Sequence, residues 1–302
     1  MSELRGAYTA LITPFEADGG GLDLGALDRI LEAQAAAGVR GVVPCGTTGE
    51  TPTLTPEEQA EVIGRTIATA RALGLEVIAG AGANDTATAI RNHRMAADLG
   101  VDAALHVAPY YNRPGQEGLT AHFTAIADSA ELPVVLYDVP GRTGVRIEPA
   151  TVVRLAAHPN IRGLKAAGGS LDDVSKILRG CDLAVLSGDD TLTLPMMSIG
   201  ARGVISVLSN VMPAEVAGLC RAVESSRWLD ARERHLALHP AADALLSLAS
   251  NPVPIKAAMA LAGWCDGSVR LPLTAAGPEV TAAVRSILVE AGFEPSPEAV
   301  EA

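Results

Sequence analysis

Short apolar, β-prone runs recur along the chain, and helix-like stretches separate them. Strands are predicted at Tyr8–Thr13, Gly41–Cys45, Glu76–Gly80, Ala103–Ala108, Pro133–Tyr137, Arg162–Lys165, Leu183–Ser187 and Gly203–Val207. Between them, apolar positions in Leu24–Ala36, Pro56–Ala72, Ala87–Leu99 and Gly118–Ala130 follow the helical period. Thr55 before Pro56 and Glu57 reads as an N-cap with proline at the first helical position. The strand midpoints are spaced by roughly 28 residues, the size of one βα unit. The pattern predicts an α/β protein with a (β/α)8 TIM barrel. A doubly wound sheet would need fewer strands or a phosphate fingerprint, and Gly80-Ala-Gly82-Ala-Asn-Asp85 carries Asp where the third glycine belongs. After about residue 224 the pattern is helical only, with a Pro-marked break at Asn251-Pro-Val-Pro-Ile-Lys256. The expected division is a catalytic barrel, 1–224, and a C-terminal helical extension, 225–302.

Composition narrows the function classes. The 302 residues are 48% hydrophobic and 19% charged, which excludes global disorder. The net charge of −12 argues against a nucleic-acid partner. No apolar run approaches the ~18–20 residues that span a bilayer, and the N-terminal stretch does not read as a signal peptide. A cytoplasmic location is expected, with no membrane partner. Cys45, Cys181, Cys220 and Cys265 lie outside any C-x-x-C spacing and read as reduced thiols. No cofactor is expected.

The basic residues carry more information. Of 23 Lys and Arg, three are Lys: Lys165, Lys176 and Lys256. Arg stays protonated, whereas a Lys amine can lose its proton and act as a nucleophile. Lys165 closes a short apolar strand, at the barrel end where TIM-barrel sites lie. Desolvation there favours a free amine able to attack a ketone and form an imine; the alternative is a lysine that snorkels from a strand end. Lys176 sits in a polar helical stretch and reads as solvated, and Lys256 follows two prolines and reads as structural. Tyr137 lies one repeat before Lys165, so the two should end neighbouring strands. A phenol beside an amine can move protons; otherwise Tyr137 is a half-buried core residue. Gly46-Thr-Thr-Gly-Glu50 offers hydroxyls and backbone amides that could hold a small carboxylate, or it is an ordinary turn.

His235-Leu-Ala-Leu-His239 has the i, i+4 spacing of a metal pair but lacks the Glu of H-E-x-x-H, so no metal site is expected. His106 reads as a packed core histidine. Asp189-Asp190 reads as a helix cap or, alternatively, a substrate contact.

With these residues in place, the chain resembles the dihydrodipicolinate synthase and N-acetylneuraminate lyase superfamily of pyruvate-dependent class I aldolases. The resemblance runs from Ala10-Leu-Ile-Thr-Pro-Phe15 through the Gly46–Glu50 loop and Pro109-Tyr-Tyr-Asn-Arg-Pro-Gly-Gln-Glu-Gly118. It continues through Ser187-Gly-Asp-Asp190 and Gly203-Val-Ile-Ser-Val207 to Asn251-Pro-Val-Pro-Ile-Lys256 and Arg270-Leu-Pro-Leu273. The resemblance implies a barrel with C-terminal helices, assembled as a homotetramer of paired dimers. It implies that Lys165 forms the imine with pyruvate and that Tyr137 shuttles protons through Thr48 and through Tyr111 of a neighbouring subunit. Thr47 and Thr48 would bind the pyruvate carboxylate, and Gly188 and the main-chain carbonyl of Ile205 would line the site. Arg142 would receive the carboxylate of aspartate semialdehyde, a role for which the fork of a guanidinium is suited. That arginine points to the synthase branch, because lyases acting on sialic acid typically lack it. Two positions depart from the synthases: Ala166 stands where an acidic residue is usual beside the lysine, and Asp138 replaces a common Asn.

The expected reaction is aldol condensation of pyruvate with L-aspartate 4-semialdehyde, a step of lysine and diaminopimelate biosynthesis. The alternatives are a sibling aldolase or dehydratase acting on a 2-keto-3-deoxy sugar acid, or a non-catalytic ligand-binding barrel. In lysine-inhibited members the resemblance places lysine at the dimer interface. Here Pro56 and Gln59 stand where one such group carries imidazoles, and Thr88 stands where a Glu commonly accepts the lysine amine. Asn84 and Tyr110 match the pattern. Weak or absent lysine inhibition is therefore expected.

Overall fold

Eight parallel strands close in chain order, with β8 returning to pair with β1. The computed structural model describes residues 3–293, without the side chain of Asp18. The predicted extension 225–302 is thus described as far as Phe293, and Met1 and Ser2 also lie outside the described residues. The strands are β1 (Gly6–Ala10), β2 (Gly41–Val43), β3 (Glu76–Gly80), β4 (Ala103–Val107), β5 (Val134–Asp138), β6 (Ile161–Ala166), β7 (Ala184–Ser187) and β8 (Gly203–Ser206). The helices of the barrel are α1 (Leu24–Ala37), α2 (Pro56–Leu73), α3 (Thr86–Leu99), α4 (Gln116–Ala127), α5 (Pro140–Thr143), α6 (Pro149–Leu155), α7 (Leu171–Gly180), α8 (Thr193–Ser198) and α9 (Pro213–Glu224). Then come α10 (Trp228–Ser247), α11 (Val253–Leu261) and α12 (Pro278–Glu290).

The eight expected strands are present, with ends adjusted for physical reasons. Beyond Ala10 the Leu11 N–H still reaches the Val43 carbonyl, and then the chain leaves the ladder: the Ile12 N–H goes to Oδ1 of Asn210 and the Thr13 hydroxyl to the Gly49 carbonyl. β2 ends before Pro44, which has no N–H for the ladder. The four helices read from periodicity are α1 to α4. The later barrel helices escaped that reading partly because α6 and α8 have only 7 and 6 residues, too few to display a period. Thr55 caps α2 through a reciprocal capping box with Glu58. Gly80 is required where β3 meets the β2 loop, since a Cβ there would lie 2.0 Å from the Cys45 carbonyl oxygen.

One apolar core runs from the barrel into the C-terminal helices. Leu238, Ala241 and Leu245 of α10, Ile255 and Met259 of α11, and Leu288 of α12 share it with Leu11, Val42 and Ile205. The helices after the barrel are therefore packed onto it by the same burial that stabilises the strands. No helix among the described residues is long and apolar enough to cross a membrane.

Three buried histidines interrupt this pattern. His93 on α3 meets His106 on β4, with Nδ1 3.1 Å from Nε2, and His122 on α4 meets the Thr86 hydroxyl at 2.9 Å. Burial pushes His93 and His122 down to about 4 and His106 well below its ordinary value. Each ring is neutral when folded, while the unfolded chain takes up protons near pH 6.5. Stability contributed by this cluster is intact above about pH 6.5 and falls as pH drops toward about 4. Denaturant titrations across that window should show falling stability, and His93→Gln should flatten the dependence.

Candidate active site

Lys165 and Tyr137 face each other directly in the ladder of β5 and β6. Lys165 is 5% exposed, and its Nζ lies 4.4 Å from the centroid of the Tyr137 ring. An aromatic face this near stabilises a lysine cation and fixes where the amine sits. Gly188, just after β7, makes room for it. A Cβ there would come within 3.0 Å of Cγ and Cε of Lys165. The lysine thus runs along a surface that only a residue without a side chain leaves open.

The loop after β2 carries Thr47, Thr48 and Glu50. Thr48 is buried, and its Oγ1 accepts from Nδ2 of Asn251 at 3.0 Å. Glu50 is buried with φ of 54°, a left-handed conformation that a residue with a side chain adopts at a cost. Its carboxylate explains how that backbone is held: Oε1 pairs with Lys256 Nζ at 2.5 Å, and Oε2 accepts the Arg270 N–H at 2.9 Å. Lys256 also donates to the Ser268 carbonyl at 2.7 Å and lies 3.9 Å above the Phe15 ring. The Arg270 guanidinium then grips both carboxylate oxygens of Glu58. The loop is held from several sides: by the C-terminal segment through Asn251, Lys256 and Arg270, and by the Thr13 hydroxyl on the Gly49 carbonyl at 2.7 Å.

A cavity of about 430 Å³ opens beside this cluster. Thr47, Gln59, Thr88, Tyr110, Tyr137 and Arg142 are among the residues that line it. Arg142 is exposed on α5, a four-residue turn directly after β5. Tyr111, beside the cavity-lining Tyr110, does not line the cavity and is 90% exposed with φ of 72°. Ile205 is fully buried in β8, next to β1 through Tyr8.

Other sequence candidates fall elsewhere. Asp189 caps a short 3-10 turn through the Thr191 N–H, whereas Asp190 is buried and accepts the N–H groups of Val207 and Leu208. His235 and His239 stand on α10 with ring centroids 5.9 Å apart, and among the described residues no group of three His, Cys, Asp or Glu could hold a metal ion. Lys176 is exposed and pairs with Asp172 at 2.5 Å. The four cysteines are free. Asp138 accepts the Ile147 N–H at 2.9 Å, and burial pushes its carboxyl up to about 6, so it ties β5 to the segment before α6. Asn251, Glu50 and Arg270 had no sequence role beyond membership of a motif. Only folding brings them to the threonine loop.

The match to known proteins extends over this whole arrangement. The model of the Dihydrodipicolinate synthetase family matches residues 3–291. The 4-hydroxy-tetrahydrodipicolinate synthase of Syntrophus aciditrophicus (strain SB) is 48% identical over 271 residues, covering 89% of this chain and 92% of that one. The structure of the 4-hydroxy-tetrahydrodipicolinate synthase from Methylacidiphilum fumariolicum SolV superposes with a TM-score of 0.93 at 43% identity, covering 96% of each chain. A dihydrodipicolinate synthase from Cyanidioschyzon merolae with lysine bound superposes equally well, with a TM-score of 0.93 at 39% identity over 96% of this chain and 99% of that one. With its barrel, its Lys165–Tyr137 pair and this coverage, the chain belongs to the dihydrodipicolinate synthetase family.

Proposed function

We propose that this chain is a Schiff-base-forming lyase that condenses pyruvate with L-aspartate 4-semialdehyde, the activity of a 4-hydroxy-tetrahydrodipicolinate synthase. The observation that carries the reading is Lys165, buried at the catalytic end of β6 against Tyr137. Its amine attacks the pyruvate ketone, water leaves, and an imine forms. Loss of a methyl proton then gives an enamine, which bonds to the aldehyde carbon of the second substrate. The amino group of that substrate attacks the imine carbon, closes the ring and frees Lys165. Tyr137 moves the protons through Thr48 and through Tyr111 of a neighbouring subunit, a role that its exposure suits. Thr47 and Thr48 hold the pyruvate carboxylate, with Gly188 and the carbonyl of Ile205 beside the amine. The chain works as a cytoplasmic homotetramer of paired dimers. Residues 1–224 form its catalytic barrel and 225–302 its helical extension. A coupled assay of pyruvate against a panel of aldehydes tests the reading. Turnover of a sugar aldehyde without turnover of aspartate semialdehyde would overturn it.

Arg142 receives the carboxylate of the second substrate at the cavity wall. Arg142→Ala should leave borohydride trapping of the pyruvate imine intact and weaken condensation. The loss is about 2–5 kcal/mol if the charge pair is desolvated, and correspondingly less at this exposed position. Unchanged kinetics with aspartate semialdehyde would remove the arginine from the mechanism.

The cavity also bears on regulation. Thr88 is neutral, and its hydroxyl accepts from the Arg91 guanidinium at 2.6 Å. A lysine ammonium placed there meets the like charge of Arg91, and the neighbouring carboxylate, Asp85, is already engaged in capping α3 through the Thr88 N–H at 2.8 Å. Loss of one charge-assisted hydrogen bond removes about 1.5–3 kcal/mol, roughly a ten- to hundredfold in affinity. Initial rates should be nearly insensitive to L-lysine at about 1 mM, and half-inhibition well below that concentration would contradict the assignment.

A further inference from the structure

Of the contacts by which the segment after the barrel reaches the threonine loop, one meets a threonine hydroxyl. Asn251 lies between α10 and α11, is 8% exposed, and donates from Nδ2 to the Thr48 hydroxyl oxygen at 3.0 Å. The two residues are 203 positions apart in sequence. The Asn251 Oδ1 is buried and meets no donor among the described residues. A threonine hydroxyl has one proton to give and two lone pairs to receive. Asn251 fills one lone pair, so the hydroxyl proton must point away from that amide. Among the described residues, Thr48 Oγ1 has no other hydrogen-bond partner, so in the resting fold this proton is uncommitted and available to the reacting groups. The backbone beneath it has little freedom to rearrange, because Glu50, two residues on, is held by Lys256 and by the Arg270 N–H.

We propose that Asn251 is a positioning residue that holds Thr48 as a hydrogen-bond donor toward the reacting groups and thereby sets the resting direction of the proton relay. The C-terminal helical segment thus helps to run the chemistry as well as to cover the barrel. This inference rests on the reading above in which Thr48 passes protons to and from Tyr137.

The amide's direction can be reversed by one atom. An ionised Asp at position 251 has no proton to give and accepts strongly, so the Thr48 hydroxyl turns toward it and leaves the relay. A protonated Asp can donate again. Asn251→Asp should therefore lower kcat at pH 8 by about tenfold or more, within the range that proton-transfer groups contribute. It should also create a new pH limb in which kcat recovers as pH falls through the buried carboxyl's pKa. KM for pyruvate should change less than kcat, and borohydride should still trap pyruvate on Lys165. Asn251→Ala leaves Thr48 unsteered and should lose kcat by a pH-independent factor smaller than that of Asn251→Asp. If Asn251→Asp does not fold, Asn251→Ala alone decides: a kcat within about twofold of wild type overturns the proposal. For folded Asn251→Asp, wild-type kcat without a new pH limb does the same. Thr48→Val separates the two layers. If Thr48→Val is inactive while Asn251→Asp is normal, the relay stands and the role of Asn251 falls. If Thr48→Val retains full kcat, the relay falls and the role of Asn251 with it.

Discussion

Lys165→Arg should abolish pyruvate trapping and reduce turnover by roughly a thousandfold or more, the scale on which loss of a covalent nucleophile is felt. The arginine keeps the positive charge and most of the volume beside Tyr137. It cannot release a proton to become a nucleophile, so the variant separates chemistry from packing. In the wild-type protein, pyruvate followed by borohydride should add one reduced pyruvyl mass, and peptide mapping should place it on Lys165. The other two lysines are poor competitors for different reasons. Lys176 is more than half exposed and paired with Asp172. Burial pushes the Lys256 amine down, but the Glu50 carboxylate at 2.5 Å opposes that shift and occupies it. Lys256 is also fully enclosed, with no room for a ketone. Labelling on either of them, or trapping that survives in Lys165→Arg, would remove the imine from Lys165.

The barrel was legible because its signal is repeated. Eight apolar runs at near-constant spacing report a βα unit even when single strand ends are off by a residue or more. Lys165 was legible through scarcity and position, and Tyr137 because one repeat separates it from Lys165. The neighbouring ties were not, since they depend on proximity that the chain creates only when folded. Asn251 reads as part of a proline-marked break, yet its partner is Thr48. Asp189 and Asp190 look alike in sequence, but one caps a local turn and the other receives two N–H groups from the strand-eight loop. His93 and His122 each look like an ordinary polar position on a helix. They become a buried cluster only because α3 and α4 pack beside β4, and that converts unremarkable residues into a pH-dependent stability term.

The second large effect falls on stability. Lys256→Met should destabilise the protein by about 3–5 kcal/mol, because it leaves the Glu50 carboxylate enclosed without its counter-charge. The side chains of this pair are 0% and 1% exposed, so water cannot supply the missing solvation. At the usual scaling for large domains, this lowers the melting temperature by about 5–15 °C. Lys256→Met combined with Glu50→Gln should recover much of the loss, since a neutral amide costs less to bury than an unpaired ion. A double-mutant cycle then isolates the pair from the packing of the lysine stem against Phe15. The same substitution should reach the active site. Glu50 holds a left-handed backbone immediately after Thr47, Thr48 and Gly49, and the strain is balanced by Lys256 and Arg270. With the lysine gone, the threonine loop has one fewer restraint, so KM for pyruvate should rise even at temperatures where the variant is fully folded. A single variant that melts within about 2 °C of wild type, with unchanged KM, would mean that the buried pair neither stabilises the fold nor holds the loop.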